Sequence, residues 1–248
     1  MNIKDIVIIG GGLSIKNGIS LGLKDYLKDK FVIGCNYSFR HFDLTALCFV
    51  DKDFYLPTLA KKEENKDKYP DIHEELGKLP LIIGVAKNPS LGEFIHPNTI
   101  LVKKNSTYSP NPVKFGFMWN LCGLFALQLA GIFEPEKIFL LGFDWNKRDP
   151  KTIPTGKDYD GKSDLDIHYY GKEIIHRGSG YLGFYEPHSP NNYFKWFNNS
   201  KSKIYNVSPN SNIQNFEKID YTTMFSLLSD VVYDQNKIRE EIREKLFH

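Results

Sequence analysis

Cysteine is scarce in this sequence and does not come in pairs. The three that occur, Cys35, Cys48 and Cys122, lie in apolar stretches and show no CxxC spacing. An odd number of such positions reads as buried thiols in a reducing compartment rather than a disulfide framework. Long apolar runs are missing as well: none approaches the ~20 residues that span a bilayer. The opening MNIKDIVIIGGG enters a strand pattern without a leader-like stretch, so a cytoplasmic setting is expected. Nor is there an excess of one charge. The 32 Lys and Arg against 30 Asp and Glu leave a net charge of +2, which provides no long-range attraction toward a polyanion. The nucleophile pattern GxSxG and the zinc pattern HExxH are both absent.

What is present suits one globular α/β domain over residues 1–248. The chain is 41% hydrophobic and 14% aromatic, and a chain of this length buries roughly three quarters of its unfolded surface without covalent help. Short apolar runs at Ile6 to Ile9, Phe31 to Gly34, Leu44 to Val50, Leu79 to Gly84, Thr99 to Val102, Lys137 to Leu141 and Lys203 to Val207 read as strands. Helical patterns alternate with them: one after Ser14, one from about Phe54 to Lys66, an almost wholly apolar one from Phe117 to Ala130, and one from Ser189 to Asn198. Two more close the chain, at Tyr221 to Ser229 and Gln235 to Phe247. Such alternation predicts a Rossmann-like, mostly parallel sheet flanked by helices. Between Asn146 and Pro187 the sequence is polar and lacks periodicity, and a stretch that long is expected to be a lid insert.

Ligands of an open parallel sheet bind beyond the carboxyl ends of its strands, so the strand ends hold the candidates. Gly10-Gly11-Gly12 leaves the first strand and Ser14 stands ready to cap the next helix, a setting that suits a phosphate or a ribose. A full GxGxxG fingerprint would need glycine at Ile15, and Asn36 stands where a dinucleotide site has an acid, so a nicotinamide cofactor is disfavoured. Asn36, Asp144 and Asn210 each follow a different strand. Singly they are ordinary turn formers; together they suggest a base or ribose site. His188, in EPHSPNN, marks the end of the polar stretch, with His168 and His176 as alternatives. A histidine there suits a general base, although a lone histidine is more often a surface or capping residue. Asp158-Tyr159-Asp160 and Asp164-Leu165-Asp166 form DxD pairs that could hold Mg²⁺.

Taken in order, IVIIGGGLSIK, VIGCNYSF, ALQLAGIFEPEKIFLLGFDW, PHSPNN and IYNVSPNS resemble the bacterial sialyltransferases of lipooligosaccharide and a wider group of sialyltransferase-like, often phage-encoded proteins. The resemblance runs from Ile6 to Ser211. It implies a metal-free transferase that uses a CMP-linked sugar, with no other cofactor. On that resemblance Gly10, Gly11, Gly12, Ser14 and Asn36 hold the nucleotide. Gly142, Phe143 and Asp144, with Ser208, Asn210 and Ser211, surround base and ribose. Asn120 is the nearest match to a polar residue ahead of the buried helix, and His188 is the general base. The lid would add Lys172, Arg177 or one of Tyr159, Tyr169, Tyr170 and Tyr181 at the leaving phosphate. The chain departs from the family at Gly11 and Leu13, where Asn and Pro are usual.

Three functions are therefore carried forward. The first is glycosyl transfer from a nucleotide-sugar, sialic acid among the candidate sugars, to an acceptor that is a glycan, a small molecule or a modified nucleobase. The second is a Mg²⁺-dependent pyrophosphokinase or nucleotide hydrolase on the same scaffold. The third is a non-catalytic nucleotide-binding accessory protein, and the altered glycine loop motivates it. For a phage-encoded chain the expected location is the host cytoplasm.

Overall fold

In a computed structural model of the chain, residues 2–50, 72–86, 96–118, 121–145 and 190–247 are described. The expected helix from Phe54 to Lys66, the lid, Asn120 and His188 fall outside them.

Among the described residues nine strands form one sheet: β1 Asp5–Ile9, β2 Val32–Cys35, β3 Ala46–Phe49, β4 Ile82–Ala86, β5 Thr99–Asn105, β6 Phe117–Met118, β7 Lys137–Leu141, β8 Lys203–Asn206 and β9 Glu217–Lys218. Their order is β6-β5-β4-β3-β2-β1-β7-β8-β9, and every pairing is parallel. The α/β architecture read from the sequence is thus present, and the pairings among the described strands are parallel. From β1 the chain steps outward strand by strand to β6, then returns to the other side of β1 with β7 and steps outward again. The order therefore reverses between β1 and β7, the position where open α/β sheets form their binding crevice.

Parallel sheets need cover on both faces, and the central strands alternate accordingly. Ile6, Ile8, Ile138 and Leu140 point into one core, which includes Leu124, Phe125, Leu127, Phe194, Ile238 and Ile242. Val7, Ile9, Phe139 and Leu141 point into the other, with Ile15, Leu23, Leu27, Tyr221 and Met224. Ile6 to Ile9 are wholly buried, and each such side chain contributes roughly 1.5–3 kcal/mol. The helices are α1 Ile15–Ser20, α2 Leu23–Leu27, α3 Ile72–Gly77, α4 Pro112–Phe115, α5 Cys122–Gly131, α6 Pro190–Phe194, α7 Tyr221–Leu227 and α8 Gln235–Phe247.

Several expected elements differ in detail. The helix after Ser14 is two short ones, because Gly22 interrupts it and caps the second. The apolar run Phe117 to Ala130 is not one helix. Phe117 and Met118 instead pair with Lys104 and Asn105 as an edge strand, and the helix begins only at Cys122. Gly116, at φ +103, turns the chain into that strand, and the Met118 amide donates to Gln128 Oε1 at 2.6 Å. Pairing to a neighbouring strand thus outweighed local helical preference. The strand expected from Leu79 starts at Ile82, the one ending at Val102 runs on to Asn105, and Asn36–Arg40 forms a 3-10 turn. The helix expected from Ser189 to Asn198 is α6 followed by a 3-10 turn over Lys195–Phe197.

At the amino ends of the strands the C-terminal segment is tied down. Buried Asp5 pairs with Lys137 Nζ at 3.2 Å and accepts the Ser229 amide at 2.6 Å. Tyr233 Oη accepts from the Lys4 amide at 2.8 Å. Arg239 of α8 donates to the Thr45 carbonyl at 3.1 Å.

Candidate functional site

Ile9 lies opposite Leu141 in the register of β1 and β7, so Gly10 and Gly142 leave the sheet side by side. Beyond the strand ends the two backbones stay in contact. The Gly10 amide donates to the Leu141 carbonyl at 2.8 Å and the Gly12 amide to the Gly142 carbonyl at 2.9 Å. Side chains have no room there. A Cβ on Gly10 would stand 2.9 Å from the Gly142 oxygen, and one on Gly12 would stand 2.5 Å from Asp144 Cγ. Gly142 itself sits at φ +70, where a side chain would be strained and would meet Ile15. The two glycine-bearing turns are therefore a matched pair, each shaped by the other.

Asp144 is the hub between them. Its Oδ2 accepts the Ser14 amide at 2.9 Å, and its Oδ1 accepts the Ser14 hydroxyl at 2.5 Å and the Ser208 hydroxyl at 2.7 Å. The two serine hydroxyls lie 2.8 Å apart. Ser14 occupies the cap position of α1, yet its side chain makes no capping bond and turns to Asp144 instead. The anion at the start of α1 is thus the protein's own carboxylate. A phosphate brought to about 4 Å from it would be repelled by ~1 kcal/mol in water and ~4 kcal/mol in a partly desolvated cleft. The position therefore accepts hydrogen-bond donors and disfavours a second anion.

Hydrogen bonds to backbone carbonyls hold the β7 exit in place. The Phe143 carbonyl accepts from Ser211 Oγ at 2.7 Å and from Asn206 Nδ2 at 3.2 Å, and the Asp144 carbonyl accepts the Asn212 amide at 3.1 Å. The Phe143 ring is a core group wedged against α5, where a Cβ on Gly123 would stand 2.7 Å from Phe143 Cε1. Trp145 follows at φ +44 with its ring 5.9 Å from that of Tyr193. Ser208 and Ser211 are buried, whereas Asn210, in the turn between them, is exposed.

Asn36 follows β2, one strand over from β1, in a left-handed conformation (φ +50) that asparagine adopts more readily than most residues. Its Oδ1 is buried and has no hydrogen-bond partner among the described residues. The predicted positions thus divide into three groups. Gly10, Gly12, Ser14, Gly142, Asp144 and Ser208 meet directly. Gly11, Phe143, Ser211, Asn210 and Asn36 stand at the same edge of the sheet. Asn120 and His188 lie outside the described residues.

Two participants were not singled out from the sequence. Tyr221, at the start of α7, lies beneath α1 so closely that a Cβ on Gly18 would come within 2.4 Å of its ring. Its hydroxyl is close to Ser14 and Asp144. Burial first, and then the Asp144 charge, push the phenol far above its usual range, with only a partial offset from Ser14. Asn206, wholly buried at the end of β8, holds the Phe143 carbonyl. Its polarity inside the run IYNV was the available signal for that role. Tyr221 had no comparable signal, because its partner Gly18 is distant in sequence.

Among the described residues no group of three or more His, Cys, Asp or Glu side chains is arranged to hold a metal ion, and no helix is long and apolar enough to cross a membrane. No protein family, curated protein or solved structure matches this chain.

Proposed function

We propose that this chain is a glycosyltransferase that binds a nucleotide-sugar, a CMP-sugar by preference, in the crevice between β1 and β7. It would pass the sugar to an acceptor hydroxyl by direct displacement with inversion. One observation carries the reading: the Ser14–Asp144–Ser208 hub at the point where the strand order reverses. In this scheme the hub braces the two glycine turns, and the ribose and base lie along their exposed backbone. Asn36 offers an unused buried acceptor to the nucleotide. The phosphate, repelled from Asp144, would take its counter-charge from the segment 146–189, where Lys172, Arg177 and the tyrosines lie.

His188 would accept the proton of the acceptor hydroxyl as that oxygen attacks the anomeric carbon and the bond to the nucleotide phosphate breaks. General-base assistance of this kind is worth ~10²–10⁴ in rate, or roughly 3–5 kcal/mol of barrier. His188→Ala should therefore cut turnover by about 100-fold or more while donor affinity stays within about twofold. Asp144→Ala should abolish nucleotide binding. Titration calorimetry with CMP and the other nucleoside monophosphates, followed by transfer assays with CMP-sugars, tests both. If no nucleotide binds, the proposal fails.

A second reading rests on the loop itself, where exposed Leu13 contributes an apolar side chain beside the glycine turn. Binding of a nucleotide without transfer of any sugar would identify a nucleotide-binding accessory protein. For the metal-dependent alternative, the Asp-rich stretch 158–168 together with Asp144 would have to supply ligands. Activity that survives excess chelator separates that version from the metal-free one.

A further inference from the structure

The three cysteines are far apart in sequence, but the fold gathers them at one place. Cys35 and Cys48 are direct partners across the parallel strands β2 and β3 and face the same core. Cys122 opens α5, the ten-residue helix that covers this face, and its thiol donates to the Cys48 carbonyl at 3.2 Å. None is in a disulfide; Cys35 and Cys48 are buried and Cys122 is partly exposed. The cluster lies on the opposite face of the sheet from α1, α2 and Tyr221 and takes no part in the hub. Cys35 directly precedes Asn36 and Cys122 follows Asn120 by two residues, but the reaction proposed here uses none of the groups that would hold the nucleotide.

We propose that Cys122 is a site of oxidative modification by hydroperoxides, with Cys48 as the resolving thiol. Three features assign the roles. Solvent reaches Cys122 but not Cys48, so the oxidant meets Cys122 first. A thiolate, the reactive form, is favoured at a helix N-terminus, and the cap residue here, Leu121, makes no side-chain capping bond. The residue that Cys122 touches carries the thiol it must reach. Cys35 and Cys48 are close enough for their charges to interact, and burial above all holds Cys48 as the neutral thiol. Cys48 is therefore not the point of attack.

The chemistry runs in two steps. Cys122 sulfur attacks one peroxide oxygen and the O–O bond breaks. The departing oxygen takes the thiol proton and leaves as water or an alcohol, and Cys122 becomes a sulfenic acid. Cys48 sulfur then attacks the Cys122 sulfur, the S–O bond breaks, and the hydroxyl leaves as water with the Cys48 proton. Two thiols are oxidised by two electrons in all, and the peroxide is reduced by two. Because Cys48 is held as the thiol, the second step is the slow one, and the sulfenic acid accumulates before the bond closes. The disulfide would tie the start of α5 to β3.

The test treats the folded protein with hydrogen peroxide, traps sulfenic acid with dimedone at early times, and maps peptides by mass spectrometry without reduction. Dimedone should label Cys122 first. In samples given dimedone only after longer peroxide treatment the label should be lost, because a Cys48–Cys122 cross-link with the loss of two hydrogens has formed instead, and dithiothreitol reverses that cross-link. Cys122→Ser should remove both products, Cys48→Ser should leave the sulfenic acid unresolved, and Cys35→Ser should leave the cross-link intact. The wild-type map needs no variant to fold. A Cys122 that resists peroxide until the chain is unfolded, one that proceeds to sulfinic acid without a cross-link, or a Cys35–Cys48 bond would each overturn the proposal.

Discussion

Asp144 shows how a side chain that reads as a turn former becomes the centre of a site. It accepts three donors from two elements more than sixty residues away on either side. Asp144→Ala would strand the Ser14 amide and two hydroxyls, and hydrogen bonds to a charged group are worth about 1.5–3 kcal/mol each before the network relaxes. A loss of ~2–4 kcal/mol in urea unfolding is expected, and a loss below about 0.5 kcal/mol would mean the hub is not bearing on stability. Gly12→Ala tests the same contact from the other side. Its new methyl would press on Asp144 at 2.5 Å, and such overpacking costs roughly 1–3 kcal/mol. The glycine triplet was visible in the sequence, but its reason was not. Gly10 and Gly12 are small because a second turn passes over them, and that turn comes from residues 142–144.

Among the elements, the clearest lesson is at residues 116–131. The run FMWNLCGLFALQLA is apolar throughout, and local pattern alone predicts one helix from Phe117. The chain instead makes a two-residue edge strand and then a helix, because β5 offers unpaired backbone at Lys104 and Asn105. Gly116 permits the switch. A Cβ there would meet the Lys104 oxygen at 2.8 Å, and its φ of +103 disfavours any other residue. Gly116→Ala is expected to cost about 1–3 kcal/mol and to loosen this edge, seen as faster amide exchange at Phe117 and Met118. Exchange equal to wild type at those amides would show that the turn tolerates a side chain. The central strands were legible for the opposite reason. Their apolar runs are short, bounded by glycine or polar residues, and buried on both faces, so no alternative partner competes.

At the scale of the whole molecule, buried acids make stability depend on alkaline pH. Cys48 is held well above the usual thiol value of 9.0, chiefly by burial, and Tyr221 above the usual phenol value of 10.0 by burial and the Asp144 charge. Below those values both groups are protonated in the folded and unfolded chain alike, and their contribution is complete. As pH rises through about 9 and then 10 the unfolded chain releases protons that the folded one keeps, so stability falls. Thermal unfolding followed from pH 8 to 11 should show that decline, and Tyr221→Phe should flatten its upper part. An unchanged slope in that variant would remove Tyr221 from the account. On its own, the sequence determined the α/β class, the central strands and the positions that face the strand ends, because hydrophobic period and turn residues are local properties that packing on both faces reinforces. Only the tertiary structure decided the strand order, the reversal between β1 and β7, the capture of Ser14 and Ser208 by Asp144, the place of Tyr221 under α1 and the meeting of three cysteines. Each of those is a contact between residues distant in the chain, and nothing in the local pattern of either partner encodes the other.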